Sequence, residues 1–507
     1  MKDQIWKPRE LEILQWLAQG LTNNEIAARL HLSQETVRWY NKQIFEKLGA
    51  ANRTQAVQRA SEQNLLKGTA LSQSKGAERG GAIKQSNAGT VHYVSNDGIH
   101  IAYKIIGSGP VDLLFIHGFL SNLELAFENA EYTQFFEQLA NFARVILFDK
   151  RGMGLSDRVQ GAPSLEDTLS DALCVLDAAA SNRTFVMGTS EGGAASILLA
   201  ATHPERVRGL ILYASTPKLV QMNGEPAWAD DESRFERGLE TIREQWGGAW
   251  ALQNFAPSRM HDEAFRAWWA KVLRSSTSPS EASAVLRVLR ELDIRPLLPQ
   301  IRTRTLILHK SQDQIVDVGA GRYFAEHLPN AKYVELPGAD HFFFVECEKI
   351  LSEISTFLRA EPDLSADTRI GIVLYLNFPN INKKEKAILA ELKEAHAKGV
   401  FFAENEASAV FDSPNRAIQC ALKLRERLMD ETLHISLHVG ECNIENGKPA
   451  HNVMDTARRA TEVTPPGKVI ITQTLRDILA GSGVIFDLHQ IHIDKKQTEH
   501  ISLYALM

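Results

Sequence analysis

After Val91 the chain alternates short apolar runs with longer helical segments, and this alternation most restricts the folds open to it. The apolar runs are "DLLFIHG", "RVILFD", "TFVMGTS", "LILYAS", "TLILHK" and "KYVELPG". Short buried strands that alternate with helices are typical of a mostly parallel sheet covered by helices. The sequence therefore predicts an α/β domain over residues 91–360.

At 507 residues the chain is too long for a single core, and two polar segments divide it. Residues 67–90 are rich in Gly, Ser, Ala and Lys and predict a flexible linker. The stretch "RAEPDLSADT" (359–368) is polar, contains a proline and marks a second boundary. We therefore expect an all-α domain at 1–66, the α/β domain at 91–360 and an α+β domain at 366–507.

Composition favours a cytoplasmic protein. No apolar run reaches about 18 residues, and "MKDQIWKPRE" lacks the apolar core of a signal peptide. The four cysteines are scattered, which fits a reducing compartment and gives no metal-ligand spacing. We expect no membrane contact, no metal and no cofactor.

The first 90 residues carry an excess of positive charge. They contain thirteen Lys and Arg against eight Asp and Glu, whereas the whole chain has a net charge of −6. This asymmetry indicates that the N-terminal part meets an anionic partner.

Residues 7–66 have the pattern of four short helices, and a short turn joins the second to the third. Ser33 can cap the third helix, on which Val37, Ile44 and Leu48 form an apolar stripe. Its opposite face carries the polar and cationic side chains that a helix needs in the major groove, namely Glu35, Arg38, Trp39 and Lys42. The pattern predicts a helix-turn-helix.

The stretch "PRELEILQWLAQGLTNNEIAARLHLSQETVRWYNKQIFEKLGAANRTQAV" resembles the LuxR-type helix-turn-helix over nearly its full length. The resemblance implies that Arg38, Trp39 and Lys42 face base edges of duplex DNA, while Thr36 and nearby backbone hold phosphate. Modules of this kind bind two half-sites, so we expect a homodimer. This module usually ends a regulator, whereas here it begins one.

The stretch "VMGTSEGG" has the G-x-S-x-G spacing of a nucleophile elbow, in which Ser190 is lifted above the sheet by a sharp strand-to-helix turn. An acid and a histidine follow in the order that such a site requires. "LHKSQDQIVD" offers Asp313, with Asp317 as the alternative, and "LPGADHFFF" offers His341. The early loop "LLFIHGFL" offers the backbone N–H of Phe119 as an oxyanion donor.

Together with "FDKRGMGLSDR" (148–158), these stretches resemble the α/β-hydrolase family from about residue 91 to 360. The resemblance implies a mostly parallel sheet with a helical lid at about 219–294. It also implies that Ser190 is the nucleophile, His341 the base and Asp313 the residue that orients the base. The backbone N–H groups of Phe119 and Glu191 would hold the oxyanion.

The lid segment is rich in aromatic side chains, which are common in apolar ligand pockets. Five of the eight tryptophans of the chain lie there, and we expect them to line a ligand pocket: Trp228, Trp246, Trp250, Trp268 and Trp269. For any single ring, packing of the lid onto the sheet is an equal alternative. Together they favour a small apolar or aromatic ligand over a sugar or a highly charged metabolite.

The stretches "AVFDSPNRAIQCALKLRERL", "SLHVGECNIENGKPAHNVMDTARRATEVTPPGKVIITQTLRDILAGSG" and "ISLYAL" resemble class III nucleotidyl cyclases. Those enzymes need two aspartates for metal ions, and the matching positions here are Asn377 and Asn405. A neutral amide does not supply the charge that a hard cation requires. The sequence therefore predicts a degenerate domain without cyclase activity, which dimerises or binds a ligand.

These features favour a DNA-binding transcriptional regulator. Its hydrolase-like domain would bind a small apolar or aromatic ligand with a carbonyl group, with or without slow hydrolysis. The alternative is an active serine esterase or lactonase to which a DNA-binding module is attached. A third reading is a nucleotide sensor that uses the cyclase-like domain.

Overall fold

The computed structural model describes residues 89–506 except 361–367, 380, 429, 431, 444–448 and 494–499, together with scattered positions between Arg9 and Leu48. The chain forms two compact units, Met1–Lys84 and Gln85–Met507. Among the described residues, no helix is long and apolar enough to cross a membrane.

The described positions of the N-terminal unit are helical, and its apolar residues form a small core. Val37, Ile44 and Leu48, the stripe expected to point inward, are buried. A guanidinium N–H of Arg9 donates to the carbonyl of Leu30 at 3.1 Å. The expected DNA contacts Thr36, Arg38, Trp39 and Lys42, and the linker up to residue 88, lie outside the described residues.

The larger unit holds an eight-stranded sheet in the order β1-β2-β4-β3-β5-β6-β7-β8 within the described part of the chain. The pairs β1–β2 and β2–β4 are antiparallel, and the later pairs are parallel. This arrangement agrees with the predicted mostly parallel sheet. The strands are β1 (Val91–Asn96), β2 (Ile99–Ile106), β3 (Asp112–Ile116), β4 (Arg144–Phe148), β5 (Thr184–Thr189), β6 (Val207–Tyr213), β7 (Thr305–Lys310) and β8 (Ala331–Leu336).

Helices cover both faces of this sheet. Each connecting helix crosses one face and returns the chain to the edge at which the next parallel strand begins. They are α1 (Ala130–Leu139), α2 (Leu165–Ala178), α3 (Gly192–Thr202), α8 (Val318–His327) and α9 (Glu348–Arg359). A capping box between Ser164 and Asp167 fixes the start of α2.

The segment between β6 and β7 forms a helical lid, as the sequence predicts. It contains α4 (Glu232–Gln245), α5 (Leu252–Phe255), α6 (Glu263–Ser276) and α7 (Pro279–Glu291). The starts of these helices are fixed locally. Asp231 and Asp262 cap α4 and α6, and α7 begins with a Ser278–Glu281 capping box and a proline in its first turn.

A second, seven-stranded sheet forms the C-terminal part, in the order β10-β11-β9-β12-β13-β15-β14 among the described residues. Mixed pairing and flanking helices agree with the predicted α+β class. The strands are β9 (Thr368–Asn377), β10 (Gly399–Phe402), β11 (Glu406–Phe411), β12 (His434–Asn443), β13 (Val469–Thr472), β14 (Phe486–Ile493) and β15 (His500–Leu506). The helices are α10 (Glu385–Glu394), α11 (Pro414–Leu428), α12 (His451–Glu462) and α13 (Gln473–Ile478).

The two sheets share one continuous apolar core. All residues of α3 are buried, because this helix packs on β5 and β6 and also contacts β9 of the second sheet. At the lid, Arg476 of α13 forms an ion pair with Glu291 of α7, with 3.2 Å between Nη2 and Oε2. The C-terminal sheet is therefore an integral part of the larger unit.

A buried carboxyl lies at this junction. Glu166 of α2 is 8% exposed and accepts hydrogen bonds from the hydroxyl of Ser413 and, at 2.8 Å, from the backbone N–H of Asn415. Burial raises the pKa of Glu166 to about 7, although these two hydrogen bonds act against the shift. The folded protein thus binds this proton more tightly than the unfolded chain does.

We expect the junction to lose stability as the pH rises. The contribution of Glu166 to the free energy of unfolding is fully present below its ordinary pKa of 4.5 and is lost as the pH rises through about 7. Glu166→Gln, which mimics the neutral carboxyl, should remove this part of the pH dependence, on the order of 3 kcal/mol at most between pH 5 and pH 8. Urea unfolding of both proteins at the two pH values measures it. Parallel stability curves for the variant and the wild type would contradict the assignment.

Candidate active site

Ser190 lies at the turn between β5 and α3. Its φ of +51° places a non-glycine residue in the left-handed region, as a sharp strand-to-helix turn requires. Gly192 is needed beside it, because a Cβ there would lie 2.3 Å from the carbonyl oxygen of Ile116. The backbone N–H of Ser190 donates to the carbonyl of Tyr213 at 2.9 Å, which ties the turn to the end of β6.

His341 follows β8 and meets Asp313, which follows β7. The ring nitrogen Nδ1 of His341 lies 2.7 Å from Oδ2 of Asp313, inside a buried pocket. The other carboxylate oxygen accepts the backbone N–H groups of Ile315 at 2.8 Å and Val316 at 3.1 Å. Because the carboxylate can only accept, Nδ1 carries the proton and Nε2 is left as the basic nitrogen.

Asp313 is held ionised. Burial by itself would raise its pKa, but the neighbouring His341, His309 and the backbone N–H groups outweigh burial and lower it below the ordinary value. His309 is a neighbour that the sequence reasoning missed. Its Nε2 lies 2.9 Å from the carbonyl of Val316 and 3.8 Å from Oδ2 of Asp313, and burial lowers its pKa.

The alternative acid, Asp317, caps a helix and does not contact His341. Its Oδ1 accepts the backbone N–H of Gly319 at 2.7 Å and caps α8. The structure therefore brings Asp313, and not Asp317, to His341.

The two expected oxyanion donors lie on either side of Ser190. Phe119 follows β3, and Glu191 is the residue before α3; both line the same cavity as Ser190. Among the described residues, the backbone amides of Phe119 and Glu191 have no hydrogen-bond acceptor. The loop backbone approaches the serine closely, since a Cβ at Gly118 would lie 2.8 Å from the Cβ of Ser190. Such a pair of free N–H groups can hold a carbonyl oxygen.

Two cavities meet at Ser190. The first, called the lid cavity, has a volume of about 320 Å³ and lies between Ser190 and helices α4 and α7. The second, called the inner cavity, has a volume of about 90 Å³ and is lined by Ser190, His341 and aromatic rings that include Trp268 and Phe342. A ligand whose carbonyl lies at Ser190 can therefore extend a long part into one cavity and a short part into the other.

The lid cavity is less apolar than the sequence suggested. Leucines of α7 and the rings of Phe235, Trp250 and Phe255 form part of its wall. The remaining wall contains charged and amide side chains, among them Lys218, Asp230, Arg234, Gln253, Asn254 and Gln314. Aromatic content alone could not reveal them, because they come from several parts of the lid and, for Gln314, from the loop after β7.

The five lid tryptophans divide into two groups. Trp250 lines the lid cavity, and Trp268 and Trp269 line the inner cavity. Trp228 and Trp246 line neither of these cavities. Trp228 packs on Tyr323 of α8 with 5.4 Å between ring centroids, and Trp246 lies behind Trp250 and donates its indole N–H to the carbonyl of Thr277 at 3.3 Å. Both rings fix the lid, which is the alternative use that the sequence left open.

One polar contact near Ser190 was missed altogether. Lys150, in the loop after β4, donates to the carbonyl of Gly118 at 2.6 Å and to the carboxylate of Glu191. The stretch "FDKRGMGLSDR" contains Lys150, but its spacing gives no sign that the side chain turns inward.

In the C-terminal sheet, Asn377 ends β9 and Asn405 immediately precedes β11. The backbone N–H of Phe378 donates to the carbonyl of Asn405 at 3.1 Å, so the two amides occur at the same end of neighbouring strands. In the described parts of the chain, no group of three or more His, Cys, Asp or Glu side chains could hold a metal ion.

Comparisons with known proteins identify two regions. Residues 113–347 match the α/β hydrolase fold, and residues 7–60 match the luxR family of bacterial regulatory proteins. The chain is 30% identical over 255 residues to the pimeloyl-[acyl-carrier protein] methyl ester esterase of Nitrosomonas europaea, covering 49% of this chain and 94% of that protein. It is 25% identical over 257 residues to a 2-(acetamidomethylene)succinate hydrolase of Mesorhizobium japonicum, covering 50% and 90%.

Among solved structures, an esterase from Exiguobacterium antarcticum is similar, with 23% sequence identity and a TM-score of 0.47. The match covers 53% of this chain and 99% of that one.

Proposed function

This chain belongs to the α/β-hydrolase family and carries a luxR-family DNA-binding domain, and we propose that it is a ligand-responsive transcriptional regulator. The hydrolase-fold domain captures a small carbonyl compound at Ser190, and occupancy of that site changes how the regulator acts on DNA. The observation that carries the proposal is that Ser190, His341 and Asp313 lie beside the lid cavity and the inner cavity, in a chain with a DNA-binding domain.

The groups around Ser190 support a hydrolysis in two steps. Nε2 of His341 accepts the proton of Ser190 as Oγ forms a bond to the ligand carbonyl carbon. The resulting oxyanion is held by the N–H groups of Phe119 and Glu191. When the carbon–oxygen bond to the leaving group breaks, His341 returns its proton to the departing alcohol. Water then attacks the acyl-enzyme with His341 as base, which releases the acid and restores Ser190.

Two helices give ligand occupancy a route to the second sheet. Helix α3 begins directly after the nucleophile and contacts β9, while α7 lines the lid cavity through Leu286 and Leu289 and is tied to α13 by the Glu291–Arg476 ion pair. A ligand that displaces α7 therefore acts on the C-terminal sheet as well. We propose that this sheet is a degenerate cyclase-like scaffold for relay or dimerisation, since Asn377 and Asn405 replace metal-binding carboxylates.

The lid cavity can be filled selectively at Gly238. This residue of α4 lines the cavity, and a Cβ added to it would meet no atom within 4 Å. Gly238→Phe should weaken binding of a trifluoromethyl ketone that carries an octyl chain, but not binding of its methyl analogue. Loss of about three buried methylene groups would weaken binding roughly 50-fold. Thermal shift with each ketone measures the effect, because binding at Ser190 needs no turnover.

The matched control for this experiment is Gly238→Ala, which leaves most of the cavity open and should bind both ketones. Equal octyl-ketone binding by all three proteins would show that the ligand lies elsewhere. DNA binding with and without the octyl ketone, measured by fluorescence anisotropy, then tests regulation. A ketone that binds but leaves the affinity for DNA unchanged would favour the second candidate, an esterase or lactonase, which the named activities of the relatives also favour.

On DNA, we expect a dimer that binds two half-sites about one helical turn apart, or a multiple of that spacing. Arg38→Ala should weaken specific binding by roughly 1–3 kcal/mol, because Arg38 is expected to contact a base edge. Anisotropy titrations with operator and random duplexes measure the loss. An equal loss on random DNA would make Arg38 a phosphate contact, and full affinity of a monomer for one half-site would contradict the dimer.

A further inference from the structure

Lys150 joins the two backbone segments that flank Ser190. Its side chain is only 5% exposed, and that of its partner Glu191 is 14% exposed. Nζ of Lys150 donates to the carbonyl oxygen of Gly118 at 2.6 Å and also to Oε1 of Glu191. One ammonium group therefore contacts both the loop after β3 and the residue that precedes α3.

The bond to Gly118 bears directly on Phe119. The carbonyl of Gly118 and the N–H of Phe119 belong to one trans peptide group, so they point in opposite directions from the same plane. Fixing the oxygen against Lys150 therefore fixes the direction of the N–H. The second contact holds Glu191, whose own backbone N–H is the other donor beside Ser190.

We propose that Lys150 is a positioning residue that aligns the two oxyanion donors, Phe119 N–H and Glu191 N–H, toward a carbonyl at Ser190. The inference rests on the proposed function of Ser190. The charges of Lys150 and Glu191 compensate each other. Lys150 therefore contributes by orienting the two N–H groups, and not by adding net positive charge to the site. Lys150 reaches the reacting atoms only through the peptide group that it holds.

A fluorophosphonate probe tests the catalytic consequence. Ser190 Oγ forms a bond to phosphorus, fluoride leaves, and the serine proton passes to His341. Lys150→Met should lower the labelling rate roughly 10- to 100-fold, since loss of a whole oxyanion donor costs about 10²- to 10³-fold. Lys150→Arg, which keeps a cation with several donors, should recover most of the rate. The control is Lys349→Met, which removes a lysine that is 65% exposed and paired with Glu353.

A spectroscopic measurement reports on the peptide group itself. The sequence contains one Gly–Phe dipeptide, Gly118–Phe119. Full-length protein labelled with carbonyl-13C glycine and 15N phenylalanine therefore gives one carbonyl-to-amide correlation. In Lys150→Met the carbonyl 13C signal of Gly118 should move to lower chemical shift, as the hydrogen bond is lost. In Lys150→Arg and Lys349→Met it should stay near its wild-type position.

These readouts separate the two ideas. A wild type that the probe does not label would overturn the proposed function of Ser190, whatever the NMR signal does. A labelled wild type with an unchanged labelling rate or an unmoved carbonyl signal in Lys150→Met would overturn the role of Lys150 alone. If Lys150→Met does not fold, Lys150→Arg is the variant to compare with the wild type. A shifted carbonyl signal of Gly118 in Lys150→Arg without a slower labelling rate of Ser190 would contradict the positioning role of Lys150.

Discussion

Replacing Ser190 by alanine is expected to lower kcat for p-nitrophenyl acetate by at least about 10⁴-fold, if the site turns over esters as its geometry allows. Loss of the nucleophile removes the acyl-enzyme route, and only the binding groups remain. The N–H groups of Phe119 and Glu191 are backbone atoms, so the variant should still bind a carbonyl ligand. Release of p-nitrophenol measures the first effect.

Ser355→Ala is the matched control, because Ser355 of α9 is half-buried, lines neither cavity at Ser190 and donates to the carbonyl of Ser352. It should retain wild-type turnover. Two results would be informative in opposite ways. Turnover that persists in Ser190→Ala would exclude Ser190 as nucleophile. A wild type without turnover, but with ligand-dependent DNA binding that survives in Ser190→Ala, would make the protein a receptor.

Asp313→Asn should produce the second large loss, about 10⁴-fold in kcat, with little change in the free energy of unfolding. An amide at this position can present its N–H₂ to Nδ1 of His341 and so stabilise the tautomer in which Nε2 is protonated. That tautomer cannot accept the proton of Ser190. Ester hydrolysis and urea unfolding of the purified variant measure the two quantities.

The pH dependence gives an independent check on Asp313. Burial would raise its pKa, but His341, His309 and backbone donors bring the pKa below the ordinary value of 3.8. Asp313 therefore stays ionised above about pH 4, and any loss of wild-type activity between pH 5 and pH 7 must come from another group. A direct spectroscopic titration of the wild type in which the Asp313 carboxyl becomes protonated within this range would contradict the assignment.

Asp317→Asn serves as the control for the acid. Asn can also cap a helix, so the loss of stability should stay below about 1 kcal/mol and kcat should change little. A large loss of kcat in Asp317→Asn, with Asp313→Asn nearly normal, would mean that the acid was assigned wrongly.

Local patterns were sufficient where the chemistry depends on order along the chain. The glycines around Ser190 identify a strand-to-helix turn, and Asp313 and His341 follow two later strands. Parallel strands end at one edge of the sheet, so residues that follow β5, β7 and β8 must come together there. The apolar stripe of Val37, Ile44 and Leu48 was likewise predictable, because helical spacing brings these residues to one face.

Contacts between distant segments could not be obtained in this way. Whether Trp228 lines a cavity or packs on α8 depends on how the lid folds back, and its aromatic character is the same in both cases. Asp230 and Arg234 are neighbours beside the start of α4 and form an ion pair, but Gln314 follows β7 and meets them only in the folded lid cavity.

Residue type and spacing were enough to indicate the two families of domain, the mostly parallel sheet, and a serine, an acid and a histidine in that order, with Ser190 and His341 as candidates and the acid left between Asp313 and Asp317. Residue type and spacing are local properties of the chain. The tertiary structure alone decided that Asp313 rather than Asp317 meets His341, that Lys150 bridges Gly118 and Glu191, and that α3 is enclosed between two sheets. Each of these depends on where side chains far apart in sequence are buried together. Burial depends on the packing of the whole unit, which no local pattern encodes.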